Sequence, residues 1–180
     1  MNVLTKSSLF QLAVILCTLL LIQGCEDNST NFREPNFNPP PQFNLSEADT
    51  TYTTEEGLKV YIIEEGYGPF EVIPRDQIRV NYTIYSLDGK VYDSTYENEI
   101  TAGGILRNLS PVPINSGNQS VPPLIEGFRQ GLLGMVEGEK RTIIVPPSLG
   151  YENYEFRQGE NGYDLSGDTL RYDIELESIF

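Results

Sequence analysis

Histidine is missing from this sequence altogether. Its absence removes the side chain most often used as a general base near neutral pH and as a zinc ligand, so histidine-based catalysis is excluded. Basic residues are scarce too: 12 Lys and Arg stand against 26 Asp and Glu, a formal net charge of -14. No basic stripe is available to displace counterions from phosphate, which argues against a nucleic-acid partner. The acidic excess reads as a solubility device rather than a binding site. Cysteine occurs only at Cys17 and Cys25. Long apolar runs are also lacking, since the longest falls short of the roughly 20 residues needed to span a bilayer.

That one apolar run, Leu12 to Ile22, follows Lys6 and ends in Gly24-Cys25. Its length suits the core of a secretory signal peptide, roughly 7 to 15 residues. Residues 1–24 are therefore read as a cleaved signal, which takes Cys17 away and leaves Cys25 as the sole thiol of an exported chain. An unpaired exported thiol is a liability in an oxidising compartment unless something caps it. The Leu21-Ile22-Gln23-Gly24-Cys25 stretch resembles the bacterial lipobox, and that resemblance implies lipidation of Cys25 and a membrane anchor through the N-terminal lipid. The expected location is the bacterial cell envelope, with the outer membrane favoured over the inner.

Residues 25–50 are rich in Asn, Pro and Ser and include Pro39-Pro40-Pro41 with scattered Phe32, Phe37 and Phe43. Such a composition cannot bury a core and predicts a disordered or polyproline-like tether with solvent-exposed aromatics. Fully extended, about 25 residues reach roughly 80 Å.

From residue 51 to 180 the pattern changes to that of one folded domain. Leu58, Val60 and Ile62 alternate with Lys59, Tyr61 and Ile63; Ile78, Val80, Tyr82 and Ile84 alternate with Arg79, Asn81, Thr83 and Tyr85. Both are strand signatures. Asp88-Gly89 between apolar runs predicts a hairpin into Val91-Tyr92. Ile125, Phe128, Leu132 and Leu133 have helical spacing, after Pro122-Pro123 and before Gly134, in a short segment whose internal glycines weaken it and demand packing on a sheet. In the last strand Leu170, Tyr172, Ile174 and Leu176 share one face, while Arg171, Asp173, Glu175 and Glu177 predict a wet opposite face. The expected class is α+β, an antiparallel sheet with one short helix on one face.

Five segments carry a resemblance: Val80-Asn81-Tyr82-Thr83, Val91-Tyr92-Asp93-Ser94, Leu124-Ile125-Glu126-Gly127-Phe128, Leu149-Gly150-Tyr151 and Tyr172-Asp173-Ile174-Glu175-Leu176. In order and residue type they resemble the FKBP family of peptidyl-prolyl cis/trans isomerases over about Gly57 to Phe180. The resemblance implies an antiparallel curved β-sheet wrapped around one short helix. It implies a pocket with aromatic walls Tyr82 and Tyr92, a carboxylate Asp93, the aliphatic pair Leu124 and Ile125, Phe128 at the floor position, Tyr172 in place of a last-strand phenylalanine, and the substrate-binding phenol Tyr151. Asp93, Tyr151 and Tyr92 are the expected catalytic residues. The implied partners are proline-containing polypeptides and FK506-like macrolides, met by a monomer that needs no cofactor or metal.

Two readings of different classes follow: an isomerase that assists folding of exported or envelope proteins, and a non-catalytic proline-peptide-binding or chaperone-like lipoprotein using the same pocket. The chain departs from the family pattern at an insertion within 99–121 and in the 152–167 loop, where Tyr163-Asp164-Leu165 replaces an apolar tip. Glu160, Asp164 and Asp168 supply oxygen ligands for calcium without a recognised loop spacing, and turn chemistry is the preferred explanation of that stretch.

Overall fold

Nine strands and one helix account for the regular structure in the computed structural model, which describes residues 35–154 and 165–180. The strands are β1 (Thr50–Thr53), β2 (Lys59–Glu64), β3 (Ile78–Ser86), β4 (Val91–Ser94), β5 (Gly104–Leu106), β6 (Ile114–Ser116), β7 (Gln119–Val121), β8 (Lys140–Val145) and β9 (Leu170–Ile179); the helix α1 is Glu126–Leu132. The signal segment and Cys25 lie outside the described residues, as do Glu160, Tyr163 and Asp164.

One antiparallel sheet runs β1-β2-β8-β9-β3-β4, with β5 also paired to β3. The nine-residue β3 is longer than either neighbour on its free side. Its C-terminal half therefore pairs with β4, through Ile84↔Asp93, and its N-terminal half with β5, through Ile78↔Leu106. The Asp88-Gly89 turn joins β3 to β4, and Gly89 takes the left-handed φ of 91° that the turn requires. The insertion folds as the separate hairpin β6–β7, whose base is tied by the Asn108 side-chain amide donating to Val112 O and Val121 O at 3.0 Å each.

The inner face of the sheet carries the core: Ile78, Val80, Ile143, Val145, Leu170, Tyr172, Ile174 and Leu176 are fully buried. Helix α1 covers this face with Phe128 and Leu132. Its two glycines set the distance of approach. A Cβ on Gly131 would sit 2.4 Å from Ile143 Cδ1, and one on Gly127 would sit 2.4 Å from Val145 Cγ1. The helix end is held by Arg141, whose Nη1 donates to Gly131 O at 2.8 Å and to Leu133 O at 3.3 Å. Glu139 neutralises that buried guanidinium, accepting from its Nε at 2.6 Å, and its second oxygen takes the Val136 N–H at 3.2 Å. A paired buried charge thereby satisfies carbonyls that a seven-residue helix leaves open. This is the predicted antiparallel curved sheet with one short helix.

The outer face differs from its predicted wet state. Thr142, Thr83, Asn81 and Asp173 are all buried there. They are covered by residues 35–49, which belong to the same compact unit as the strands that follow. Composition places the tether boundary at residue 50, and Phe43, within that tether, bonds to the sheet. The backbone of Phe43 is held from both sides, its N–H donating to Asp173 Oδ2 at 2.9 Å and its carbonyl accepting from Arg171 Nη2 at 2.6 Å. Composition measures apolar content, and these anchors are main-chain groups that composition does not register.

Candidate active site

Tyr82 and Tyr172 reach the inner face from adjacent strands, because Tyr82↔Ile174 and Ile84↔Tyr172 are facing pairs and alternate residues share a face. Phe128 enters from the first turn of α1 and joins them. Its ring packs edge-on to Tyr82 at 5.2 Å and 61°, and stacks on Tyr172 at 4.7 Å and 22°. Aromatic pairs in these geometries contribute about 0.5–1.5 kcal/mol each beyond burial. Three of the predicted floor and wall residues thus form one continuous aromatic surface.

Asp93 stands on β4 at the rim of that surface. Its Oδ2 accepts from the Tyr82 hydroxyl at 2.9 Å and its Oδ1 from the Ser94 N–H at 2.9 Å. The carboxylate is half-buried, and the strand edge and Tyr82 fix its orientation. Leu124 and Ile125 lead into α1. Ile125 is buried, extended at φ -56° and ψ 146°, and its carbonyl accepts the Arg129 N–H at 3.0 Å. Leu124 packs against the same core.

Tyr151 follows the short 3-10 turn Pro147–Leu149 and packs edge-on to Tyr154 at 5.4 Å and 69°. Burial raises its pKa, with the nearby Tyr154 phenol and the Asp93 charge adding to the effect. Burial also raises Tyr82, reinforced by the charge of Asp93 and the hydrogen bond to it. Tyr172 is pushed well above the ordinary tyrosine range by burial, then by Tyr151, Tyr82 and Asp93. Its hydroxyl is close enough to Tyr151 for mutual influence, yet meets no hydrogen-bond partner in acceptable geometry among the described residues. All three phenols keep their protons and stay neutral at physiological pH.

Tyr92, the second predicted wall, is half-buried against the core, and its hydroxyl donates to Asp168 Oδ2 at 2.7 Å. Lys90 Nζ sits 4.8 Å from the centre of the Tyr92 ring. A groove of about 550 Å³ runs past Lys90, Tyr92, Asp168 and Thr169. Asp168 therefore anchors the end of the loop that follows Tyr151. Its Tyr92 partner lies far away in sequence, and the pairing of the two has no signature in the motif. Among the described residues no group of three or more His, Cys, Asp or Glu is placed to hold a metal. Leu165, at the end of the altered loop, packs on the core.

The family model for FKBP-type peptidyl-prolyl cis-trans isomerase matches residues 68–177, a span containing every candidate pocket residue from Tyr82 to Tyr172. FK506-binding protein 2 of Candida glabrata is 34% identical over 110 residues, which cover 61% of this chain and 68% of that protein. FK506-binding protein 1A of Neurospora crassa is 30% identical over 124 residues, covering 69% of this chain and 89% of its own length. The crystal structure of FkpA from Escherichia coli superposes with a TM-score of 0.55 at 25% identity, over 74% of this chain and 53% of that one, so the match spans about half of FkpA. The crystal structure of AtFKBP13 gives a TM-score of 0.51 at 27% identity, over 72% of this chain and 98% of that one.

Proposed function

The chain belongs to the FKBP-type peptidyl-prolyl cis-trans isomerase family, and on that premise we propose that its aromatic inner-face pocket twists X-Pro amides in exported or envelope proteins. The chain is a peptidyl-prolyl cis-trans isomerase; the residue roles, clients and location are the proposal. The observation that carries it is the convergence of Tyr82, Phe128 and Tyr172 into one apolar surface with the Asp93 carboxylate at its rim.

The chemistry follows from amide resonance. Rotation about an X-Pro bond faces a barrier of about 18–20 kcal/mol, because the planar amide places negative charge on oxygen and positive character on nitrogen. Twisting removes that resonance and leaves a less polar amide. An apolar pocket disfavours the charge-separated planar form relative to the twisted one, so aromatic walls contribute to rate as well as to binding of the proline ring. Tyr151 is the hydrogen-bond donor to a substrate carbonyl, and its raised pKa keeps it in the donating form. Asp93, held by Tyr82, faces the amide as its dipole changes. No nucleophile, metal or cofactor enters the reaction.

FK506-like macrolides are proposed to occupy the same pocket. We further propose the lipoprotein form, with residues 1–24 removed, Cys25 lipidated and the isomerase held at the envelope, in the outer membrane in preference to the inner; this rests on the lipobox-like residues ending in Gly24-Cys25. Two experiments test these readings. A proline-peptide isomerisation assay should detect turnover that falls at least tenfold in Asp93→Ala and in Tyr151→Phe; unchanged rates would remove both from the site. Metabolic labelling with palmitate should mark the wild type and not Cys25→Ser, and fractionation should recover the label with outer membrane.

A further inference from the structure

The face of the sheet opposite the pocket is already occupied, by a proline-rich segment of the chain itself. Side-chain alternation puts Tyr82 and Tyr172 on one face, and Asn81, Thr83, Tyr85 and Asp173 on the other. Residues 36–44 run as a strap along this second face up to the 3-10 turn Leu45–Glu47, with Phe37, Pro39 and Phe43 half-buried and Asn36, Asn38, Pro40, Pro41, Gln42 and Asn44 exposed. At one end the strap exchanges main-chain hydrogen bonds with the segment after β4: Asn38 N–H to Tyr96 O at 2.9 Å and Asn98 N–H to Asn36 O at 2.9 Å. At the other end is the two-sided clamp on Phe43. The clamp is itself built, since Asp173 also accepts from Thr142 Oγ1 at 2.7 Å and from Arg171 Nε at 2.8 Å. Between the two ends Pro40 and Pro41 border a cleft that Tyr85 and Tyr96 line from the sheet side.

We propose that this outer face is a second, non-catalytic groove for an extended proline-rich segment, with the chain's own residues 36–43 as its resident ligand, and that docking there keeps Pro39-Pro40-Pro41 out of the catalytic pocket. Tyrosine-lined clefts suit the preformed polyproline conformation, and main-chain anchors at each end fix register without reading sequence. The need for sequestration is a matter of concentration. Once the 3-10 turn Leu45–Glu47 opens and the Asp49 N–H leaves Ile62 O, residues 41–50 reach about 30 Å when extended, roughly twice the ~15 Å radius of gyration of a domain this size, so a released strap can swing to the opposite face. A segment linked so closely is present at an effective concentration on the millimolar scale, enough to compete with weakly bound substrate peptides. A proline-rich tether on a prolyl isomerase is thus a built-in competitor, and the groove holds it away. The competition half of this inference rests on the pocket proposed above; the docking half does not.

The test uses the intact protein with two variants that release the strap from opposite sides. Arg171→Gln removes the guanidinium donor to the Phe43 carbonyl, and Phe43→Gly removes the half-buried side chain while leaving the groove intact. Hydrogen exchange should show the Asn38 and Phe43 amides protected in the wild type and exchanging freely in both variants. A fluorescent proline-containing peptide should bind both variants about three- to tenfold more weakly than wild type, and replacing Pro39, Pro40 and Pro41 with alanine in either background should restore wild-type affinity. A structural defect alone would not be rescued by those alanines. Unprotected strap amides in the wild type would overturn the groove, and released variants with wild-type affinity, or weakened ones the alanines do not rescue, would overturn self-competition. A wild type with a docked strap and no affinity for the peptide would overturn the pocket and the competition together, while supporting the groove.

Discussion

The Tyr82 hydroxyl donates a 2.9 Å hydrogen bond to Asp93 Oδ2, joining the aromatic surface to the one carboxylate assigned to the pocket. The bond is charge-assisted and partly shielded from water, a class that contributes about 1.5–3 kcal/mol. It fixes the orientation of the Asp93 carboxylate, to which the proposal gives the catalytic role. Tyr82→Phe should therefore lower kcat/KM of proline-peptide isomerisation by about three- to tenfold with the wall intact. Asp93→Ala should cost more. The double variant should cost no more than Asp93→Ala alone, since Tyr82 acts through the carboxylate. Additive losses in that cycle would show the two residues acting separately.

Gly131 offers a test of how closely α1 must approach the sheet. In an isolated helix Gly131→Ala would gain about 1 kcal/mol of helix propensity. Here the added Cβ would lie 2.4 Å from Ile143 Cδ1 and 2.9 Å from Ile143 Cγ2, inside a filled core. Overpacking of this kind costs about 1–3 kcal/mol or more, which outweighs the propensity gain. Gly131→Ala should lower the urea midpoint. It should also reduce turnover, because the shift displaces Phe128 on the same short helix. A raised midpoint would mean that the helix has slack.

The helix glycines also show what could be read before the fold was known. Their cost to helix stability is legible in sequence, while their purpose is not, because it depends on Ile143 and Val145 in a strand that follows. The inner face was legible throughout: alternation in β3 and β9 and the helical spacing of Phe128 and Leu132 identify core residues without any partner being known. Contacts that join distant segments through polar atoms left no trace in periodicity. The Tyr92–Asp168 bond is one such contact, and the clamp of Arg171 and Asp173 on Phe43 is another. Asp173 reads as a solvated alternate position because the pattern reports its facing and says nothing of what lies over it. The strand β5 was missed for a related reason, since three residues are too few to show alternation and its pairing to Ile78 is what makes it a strand.

Tyr172 carries a fully buried hydroxyl with no hydrogen-bond partner among the described residues. Leaving such a group buried and unsatisfied costs about 1–3 kcal/mol. Tyr172→Phe removes the oxygen and keeps the ring stacked on Phe128 at 4.7 Å. The variant should be more stable than wild type, with a urea midpoint shift equivalent to about 1 kcal/mol. A loss of stability of that size would instead assign the hydroxyl a working partner, with Tyr151 the candidate.

Alkaline pH should weaken the fold through the same buried phenols. Tyr82, Tyr151 and Tyr172 all have folded-state pKa values raised above the ordinary value of 10.0, chiefly by burial, and Tyr85 and Tyr96 on the outer face are raised by burial and neighbouring carboxylates. In the unfolded chain these groups release their protons near pH 10, whereas the folded chain retains them. Between the two values the native state binds more protons than the unfolded state, so stability falls as pH rises. Their contribution is complete below about pH 10 and is lost as pH climbs through the folded values. Urea midpoints should hold level from pH 7 to 9 and decline above 10. The decline should be shallower in Tyr172→Phe, which lacks one of the raised phenols and so separates tyrosine ionisation from general charge repulsion on a chain that is already acidic. A midpoint that stays flat to pH 11, or an equal slope in the variant, would mean that these phenols ionise freely and that the pocket is wetter than its burial implies.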